Sequence, residues 1–361
     1  MRQQEFRARK VGKDLKGQIS QAREYVKEQR YDEAVAVYEG ILKDNPEATA
    51  AYMGIGGVLL RKDELDEAEE YFNGALHLTK KPAPVLAMLG DVARKRGDME
   101  KALKLNQKAL EADPKFLKAS LAAGKILLQM SRFAEAEEVV REALKYNPHS
   151  NEAEILHSRI MQKMGRVDDA IGNLDKMLVR HPQSWSPYFL QAQMYLREKR
   201  YEASIEAAHS SLRLKPENVP TLICLGQALL GAKQYIKAID ILDGVIAVSP
   251  DRWNARMLLA RAYYLNGDLD SAQELLHQMT KGRRGLVSTH FLLGDIFAQK
   301  KLFSHAVAEY EAAILHGPNL VEKNPELKDL AEKVMEPQEK VREFQRLLAE
   351  VRERGSLETQ D

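Results

Sequence analysis

The sequence predicts an all-α protein built as a solenoid of helix–turn–helix repeats, and three regularities support this prediction. Proline recurs at intervals of 34 residues, small residues recur at two further positions with the same interval, and large apolar residues recur at a fourth. A period of roughly 20–50 residues is typical of folds in which each repeat buries its apolar face against its neighbours. We therefore expect stacked helical pairs along most of the chain.

Proline is expected to close most repeats. The stretch ALEADPKF (109–116) is a run of helix formers that ends at Pro114. Steps of 34 residues from Pro46 give nine positions, and Lys80 and Arg284 are the two that are not proline. The other seven are Pro46, Pro114, Pro148, Pro182, Pro216, Pro250 and Pro318. Because proline lacks an N–H and disfavours helix in the residue before it, a helix should end just ahead of each.

Two series of small residues predict where the paired helices touch. The first series is Ala34, Ala68, Ala102, Ala136, Ala170, Ser204, Ala238, Ala272 and Ala306. The second is Ala22, Gly56, Gly90, Gly124, Ser158, Ala192, Gly226, Ala260 and Gly294. Small side chains let two helix backbones approach closely, as in an antiparallel helical hairpin.

Large apolar residues are expected to begin the second helix of each pair. They are Tyr31, Leu65, Met99, Phe133, Val167, Tyr201, Tyr235, Leu269 and Phe303. The helical stretches FLKASLAAGKILLQM and FAEAEEVVREALKY, for example, are separated by a turn near Ser131. A large residue at the start of the second helix would staple it to the first.

This pattern resembles the tetratricopeptide repeat, which has small residues at its eighth and twentieth positions and proline at its thirty-second. In that register nine repeats cover 15–48, 49–82, 83–116, 117–150, 151–184, 185–218, 219–252, 253–286 and 287–320. The resemblance implies a right-handed superhelical α-solenoid whose first helices line a concave surface. The chain departs from the pattern at the fourth position, where Ser120, Glu154, Arg256 and His290 replace a large residue.

The two ends of the chain are expected to lie outside the repeats. Residues 1–14 read as a basic extension, 321–354 as capping helices and 355–361 as a frayed tail. A solenoid leaves an apolar face uncovered at its last repeat. The last helix has one apolar stripe, formed by Val341, Phe344, Leu348 and Val351. We expect it to fold onto the ninth repeat, and the alternative is that it binds another chain.

Composition and motifs argue against catalysis. Cys224 is the single cysteine and is expected to be a small buried residue. The nine histidines show no metal-ligand spacing, and no phosphate-binding loop or nucleophile elbow occurs. The turn KGRRG (281–285) reads as exposed rather than as a phosphate site. We predict no enzymatic activity, no cofactor and no metal.

Charge and hydropathy reduce the number of partner classes that the sequence makes plausible. The formal net charge is only +1, whereas nucleic-acid-binding proteins usually carry a clear basic excess, so nucleic acid is not an expected partner. No window approaches the roughly 18 apolar residues of a membrane span, and the basic N-terminal stretch lacks the apolar segment of a secretory signal. We expect a cytoplasmic protein that reaches a membrane only through a partner.

The resemblance implies that positions five, nine and thirteen of each first helix face a bound protein or peptide. The fifth positions are apolar and include Leu121, Ile155, Phe189, Ile223, Met257 and Phe291. Basic residues beside them are Arg94, Lys95, Lys125, Arg159, Lys163, Arg197 and Arg261. We therefore predict a non-catalytic scaffold or adaptor that binds an apolar–acidic partner segment, although cations also favour helix C-termini for structural reasons.

Two further readings follow from the same positions. The subclass that clamps carboxyl-terminal chaperone tails uses lysine and asparagine at the fifth and ninth positions, and the apolar fifth positions exclude it here. The alternative function is a self-associating structural protein, which forms a coat or oligomer through repeat surfaces and a basic start meeting an acidic end.

Overall fold

The computed structural model describes residues 2–282, 286–332 and 335–353, with side chains described from residue 15 onward except at 321 and 352. The proposed frayed tail at 355–361 and part of the KGRRG turn (283–285) lie outside these residues. Within them there are helices and no strands, which confirms the all-α repeat fold. The helices form two units, Met1–Arg180 and His181–Asp361.

The first unit contains ten helices among its described residues. They are α1 (Arg2–Lys27), α2 (Tyr31–Asp44), α3 (Thr49–Lys62), α4 (Leu65–Leu78), α5 (Ala83–Lys95), α6 (Met99–Ala112), α7 (Leu117–Gln129), α8 (Phe133–Tyr146), α9 (Asn151–Lys163) and α10 (Val167–Arg180). Each odd-numbered helix packs against the even-numbered helix that follows it.

The second unit continues the alternation and then adds three helices. They are α11 (Trp185–Arg197), α12 (Tyr201–Leu214), α13 (Val219–Gly231), α14 (Tyr235–Val248), α15 (Trp253–Asn266), α16 (Leu269–Thr280), α17 (Leu286–Gln299), α18 (Phe303–His316), α19 (Pro318–Lys323), α20 (Pro325–Glu332) and α21 (Pro337–Glu353).

The second helix of each pair begins at the predicted large residue, from Tyr31 in α2 to Phe303 in α18. The turn before it uses a backbone conformation that the sequence did not reveal. Nine described residues, again 34 apart, have a positive φ, and they are Gln29, Asp63, Gly97, Ser131, Gly165, Lys199, Lys233, Gly267 and Lys301. A left-handed residue satisfies the carbonyls at a helix C-terminus and reverses the chain. Only three of the nine are glycine, so composition alone hides this position.

Proline lies two residues beyond the helix it closes, as Pro114 does after Ala112. The exception at Lys80 shows that proline is not required. There α4 ends at Leu78, and Thr79 Oγ1 accepts the N–H of Lys81 at 3.1 Å while donating to its carbonyl at 3.2 Å. A local side-chain hydrogen bond therefore forms beyond this helix at the place where proline follows seven of the other second helices.

Close helix contacts form at the second series of small residues. A Cβ at Gly56 would lie 2.6 Å from the ring of Phe72, and a Cβ at Gly294 would lie 2.4 Å from that of Tyr310. In both pairs the large partner lies sixteen residues further along, on the second helix. The small residue thus makes room for a core side chain of its own hairpin.

The last helix folds onto its own unit. The stripe residues Val341, Phe344, Leu348 and Val351 are all 3% exposed or less. The Phe344 ring lies 5.3 Å from that of Tyr310 on α18. At the start of α21, buried Lys340 donates to Glu311 at 2.8 Å and to the Ala331 carbonyl at 2.7 Å.

Two of the four departures at the fourth position form a pair with a charged side chain. Arg180 Nη2 donates to both carboxylate oxygens of Glu154 at 2.8 Å, and Glu154 is 5% exposed. His290 Nδ1 lies 2.6 Å from Glu309. In these two hairpins a polar pair stands where other repeats have a large apolar residue.

Candidate partner-binding surfaces

In the first unit, the first helices of three successive hairpins border two adjoining clefts. The cleft between α7 and α9 has a volume of about 700 Å³. It is lined by Lys125, Leu128, Gln129, Ser131, Phe133, Glu152, Ile155, Leu156, Arg159 and Lys163. The cleft between α5 and α7 has a volume of about 620 Å³ and shares Lys125, Gln129 and Glu152 with the first. We call the two together the first-unit groove.

The charges of the groove differ between its two clefts. Among the described residues, no hydrogen bond or ion pair engages Lys125, Arg159 or Lys163, and all three are exposed. Glu152 is the one acidic residue that lines the α7–α9 cleft. In the α5–α7 cleft, by contrast, Asp91 lies 3.1 Å from Lys118 and 3.8 Å from Arg94. Unpaired positive charge is therefore concentrated beside α9.

Lys95 was predicted to line this groove, but its ammonium group is engaged elsewhere. It donates to the Leu60 carbonyl and to Asp63 Oδ1, both at 2.8 Å. These bonds fasten the end of α5 to the turn of the preceding hairpin. Lys95 lines neither cleft.

The apolar part of the groove includes residues that sequence reasoning missed. Ile155 is half-buried in the α7–α9 cleft, and Leu121 lines the neighbouring cleft although it is only 5% exposed. Phe133 and Leu128 also line the larger cleft. Phe133 was interpreted only as the first residue of a second helix, and its recurrence in every repeat gave no signal that it borders a cleft.

In the second unit, a smaller cleft of about 420 Å³ crosses α11, α13 and α15. Its lining residues are Phe189, Gln193, Leu196, Arg197, Pro220, Ile223, Cys224, Gln227, Arg252 and Asn254. Three predicted site residues, Phe189, Arg197 and Ile223, are thus brought together here. We call this the second-unit cleft.

Three other predicted site residues do not meet in that cleft. Phe291 is 2% exposed and its ring lies 6.3 Å from Tyr310, so it belongs to the core under the last hairpins. Met257 is half-buried and packs against the same core cluster. Arg261 is exposed but lines neither cleft. An apolar fifth position is therefore not by itself a sign of an accessible surface, because Tyr310 on α18 packs against Phe291.

Reactive groups are few among the residues that the structure describes. Burial raises the pKa of the Cys224 thiol to about 11, which confirms a small buried residue rather than a nucleophile. Burial also lowers the pKa of His157, which lies 3.4 Å from Glu137. The described residues contain no group of three or more side chains suited to a metal ion. None of the described helices is long and apolar enough to cross a bilayer.

Sequence comparisons agree with this repeat structure. Models of the tetratricopeptide repeat match residues 19–84, 93–160, 127–194 and 229–285, together more than half of the chain. A model described as anaphase-promoting complex, cyclosome, subunit 3 matches residues 163–245. No curated protein matches the chain significantly.

Several solved structures share the fold. The APC/C hetero-tetramer Cut9–Hcn1 aligns with a TM-score of 0.53 at 16% identity, over 84% of this chain and 60% of that one. Pseudomonas aeruginosa pilF aligns at 0.50 and 18% identity, over 60% of this chain and 98% of that one. PilW, a type IV pilus biogenesis factor, aligns at 0.50 and 22% identity, over 56% of this chain and 94% of that one. At these identities the likeness concerns the fold alone.

Proposed function

This chain belongs to the tetratricopeptide repeat family, whose members act as protein-interaction scaffolds, and we propose that its first-unit groove binds a partner segment that mixes apolar and acidic residues. The main support for this proposal is the composition of the α7–α9 cleft. It combines an apolar wall, formed by Leu128, Phe133 and Ile155, with three unpaired cations at its rim.

The apolar wall and the cations contribute different things to such a complex. Burial of a partner's apolar side chain contributes about 25 cal/mol per Å² before the cost of association is subtracted. Carboxylates of the partner gain charge-assisted hydrogen bonds, and the guanidinium of Arg159 is able to form two at once. Apolar burial therefore supplies affinity, and the cations select an acidic segment over a basic one.

The order of the charged residues along α9 predicts how a bound segment is oriented. Glu152 lies in the first turn of α9, Arg159 two turns later and Lys163 at its last residue. Acidic side chains of the partner should therefore lie toward the C-terminal half of α9 and avoid its start. Replacement of Glu152 by glutamine should consequently strengthen binding of an acidic segment, opposite in sign to the loss of a cation.

Selection from a random library of displayed 12-residue peptides tests the proposal directly. Peptides retained by the immobilised full-length chain should be enriched in apolar and acidic residues together. Peptides so selected should bind the double variant R159E/K163E at least tenfold more weakly, since each charge-assisted bond contributes about 1.5–3 kcal/mol. The E152Q variant should bind them more tightly.

A matched control separates groove binding from general charge. Lys104 and Lys108 lie four residues apart on the exposed face of α6, as Arg159 and Lys163 do on α9, and they line neither cleft. The variant K104E/K108E should bind the selected peptides as the unmodified chain does. Selection of peptides without acidic residues, or equal losses in both double variants, would rule the proposal out.

A further inference from the structure

The second-unit cleft differs chemically from the first-unit groove. Phe189, Leu196 and Ile223 provide apolar surface, and the other side chains at its edges are amides and arginines. None of the described residues that line it is acidic. The lining of the second-unit cleft thus contains arginine without a carboxylate, whereas Glu152 lines both clefts of the first-unit groove.

Two glutamines hold equivalent places on neighbouring helices. Gln193 on α11 and Gln227 on α13 are 34 residues apart, and both are exposed. Neither has a hydrogen-bond partner among the described residues. A carboxamide offers one acceptor and two donors, which matches the C=O and N–H of a peptide group. Asn254 accepts the Ala255 N–H at 2.9 Å, which leaves its amino group as a further donor.

Two arginines mark opposite ends of the cleft. Arg197 is the last residue of α11, whereas Arg252 directly precedes α15. Equivalent helices of successive hairpins run in the same direction, so the path from Arg197 to Arg252 crosses three helices diagonally. Packed helices lie roughly 8–10 Å apart, so two helix spacings cover on the order of 18 Å across the helices. The two arginines also differ in level by about one helix length, roughly 20 Å at 1.5 Å per residue. The diagonal is therefore on the order of 26 Å, a distance that about eight residues of extended chain cover at about 3.3 Å each.

We propose that the second unit carries a binding site of its own, for an extended peptide whose two acidic side chains lie about eight residues apart and flank apolar residues. The carboxylates pair with Arg197 and Arg252. The side chains of Gln193 and Gln227 bind the main chain of the peptide between them. Because alternate side chains of an extended segment face the same side, acidic residues at positions 1 and 9 and apolar residues at 3, 5 and 7 all face the cleft.

Synthetic peptides of defined spacing provide the test. The probe is a fluorescein-labelled, end-blocked peptide with glutamate at positions 1 and 9, leucine at 3, 5 and 7, and serine elsewhere. A second peptide moves the last glutamate to position 8, which turns it to the opposite face, and a third moves it to position 13. Fluorescence anisotropy with the full-length chain should show that the first peptide binds about tenfold more tightly than either of the others, as expected for one charge-assisted bond.

Variants assign the contacts. R197A and R252A should each weaken the first peptide about tenfold and remove its advantage over the other two. Methylation of the peptide nitrogens at positions 3 to 5 removes main-chain donors, so it should weaken binding to the unmodified chain and have little further effect on Q193A/Q227A. Lys237→Ala on α14, which does not line the cleft, is the matched control.

Each other result counts against the proposal. Equal binding of the three peptides would exclude the spacing, and equal effects of methylation in both proteins would exclude recognition through Gln193 and Gln227. Absence of binding by all three would exclude the site. Because the first-unit groove is itself proposed to bind apolar–acidic segments, the three peptides are also compared on the variant R159E/K163E. The advantage of the first peptide should persist in that variant, so failure here and failure of the first-unit proposal are separate results.

Discussion

Successive hairpins are tied together differently in the two units. In the first unit, cations at the turn of one hairpin reach carboxylates of the preceding one. Arg96 pairs with Asp66 at 2.6 Å and also with Glu69, and Lys101 lies 3.0 Å from Glu69. Further pairs of this kind join Arg132 to Glu100, Arg166 to Glu137, Lys95 to Asp63 and Lys62 to Asp32.

In the second unit, aromatic side chains pack together at the last hairpin, formed by α17 and α18, and the helix α21 that follows it. The ring of Tyr310 fits against Gly294 and lies 6.3 Å from Phe291 and 5.3 Å from Phe344. The residue just before the second helix is arginine at three of the five hairpins of the first unit, namely Arg30, Arg132 and Arg166. In the second unit it is arginine at one of four, Arg200, and the others are Gln234, Asp268 and Leu302. Lys300 and Asp270 do form a pair across hairpins, at 2.6 Å.

This difference predicts different sensitivities. Exposed ion pairs contribute about 0–1 kcal/mol each and weaken with salt or acid. Truncation of a buried aromatic side chain costs about 3–5 kcal/mol and depends little on salt. Acid and salt should therefore destabilise the contacts between hairpins of the first unit first. Truncation of core residues near α21 should instead destabilise the second unit.

The largest expected effect is that of Phe344→Ala. Phe344 on α21 is fully buried, and its ring packs against that of Tyr310. Its truncation should therefore cost about 3–5 kcal/mol of unfolding free energy. Hydrogen exchange read by mass spectrometry should show faster exchange in α17–α21. Phe72→Ala, an equally buried site in the first unit, is the counterpart and should speed exchange around α3 and α4 instead. Faster exchange along the whole chain in both variants would show that the units do not respond separately.

A smaller effect is expected at the polar joint of the first unit. Arg180→Met would leave the Glu154 carboxylate buried without its partner. Loss of one member of a buried pair costs about 3–5 kcal/mol. Because the Arg180 side chain is 36% exposed, its loss should destabilise the fold by less than this range, by about 2 kcal/mol. Urea unfolding at pH 7 measures this difference.

The double variant E154L/R180M tests the explanation. Replacement of a buried ion pair by apolar residues of similar volume is often neutral or stabilising. The double variant should therefore recover most of the stability lost in R180M. A double variant as unstable as R180M would mean that Arg180 acts by packing rather than by pairing with Glu154.

Most of the fold follows from the repeat period, because each local feature recurs in phase with the others. The starts of the second helices agree with the predicted large residues, from Tyr31 to Phe303. The left-handed turn conformation could not be predicted, because Ser131 and Lys199 adopt a positive φ at positions where glycine would have indicated one. The partner of Glu154 was also hidden, since Arg180 lies 26 residues away and only packing brings the two together.

The candidate sites were less predictable than the fold. A position in a repeat says which way a side chain points, and it does not say what else occupies that space. Lys95 faces Asp63, and Phe291 is covered in the core of the second unit, although Lys163 and Ile155 at the corresponding repeat positions line an open cleft. The residues of neighbouring hairpins decide this, and they vary from repeat to repeat.

The smallest expected effect belongs to the ion pairs that define the first unit. Lys101 and Arg96 hold the pKa of Glu69 below its ordinary value of 4.5. A lowered carboxyl pKa means that the stabilisation is present above pH 4.5 and is lost as the pH falls through the lowered value. Glu69→Gln should therefore cost at most about 1 kcal/mol at pH 7, and that cost should shrink as the pH falls below 4.5 and in 1 M salt.

Urea midpoints of both proteins from pH 7 to pH 3 provide the measurement. Glu70→Gln is the control, because Glu70 is exposed and forms no ion pair with a described residue. If Glu69→Gln kept its full cost at pH 3, the carboxylate would act through packing or hydrogen bonding rather than through charge. The contrast drawn between charged edges in the first unit and aromatic packing in the second would then fail at its best-defined contact.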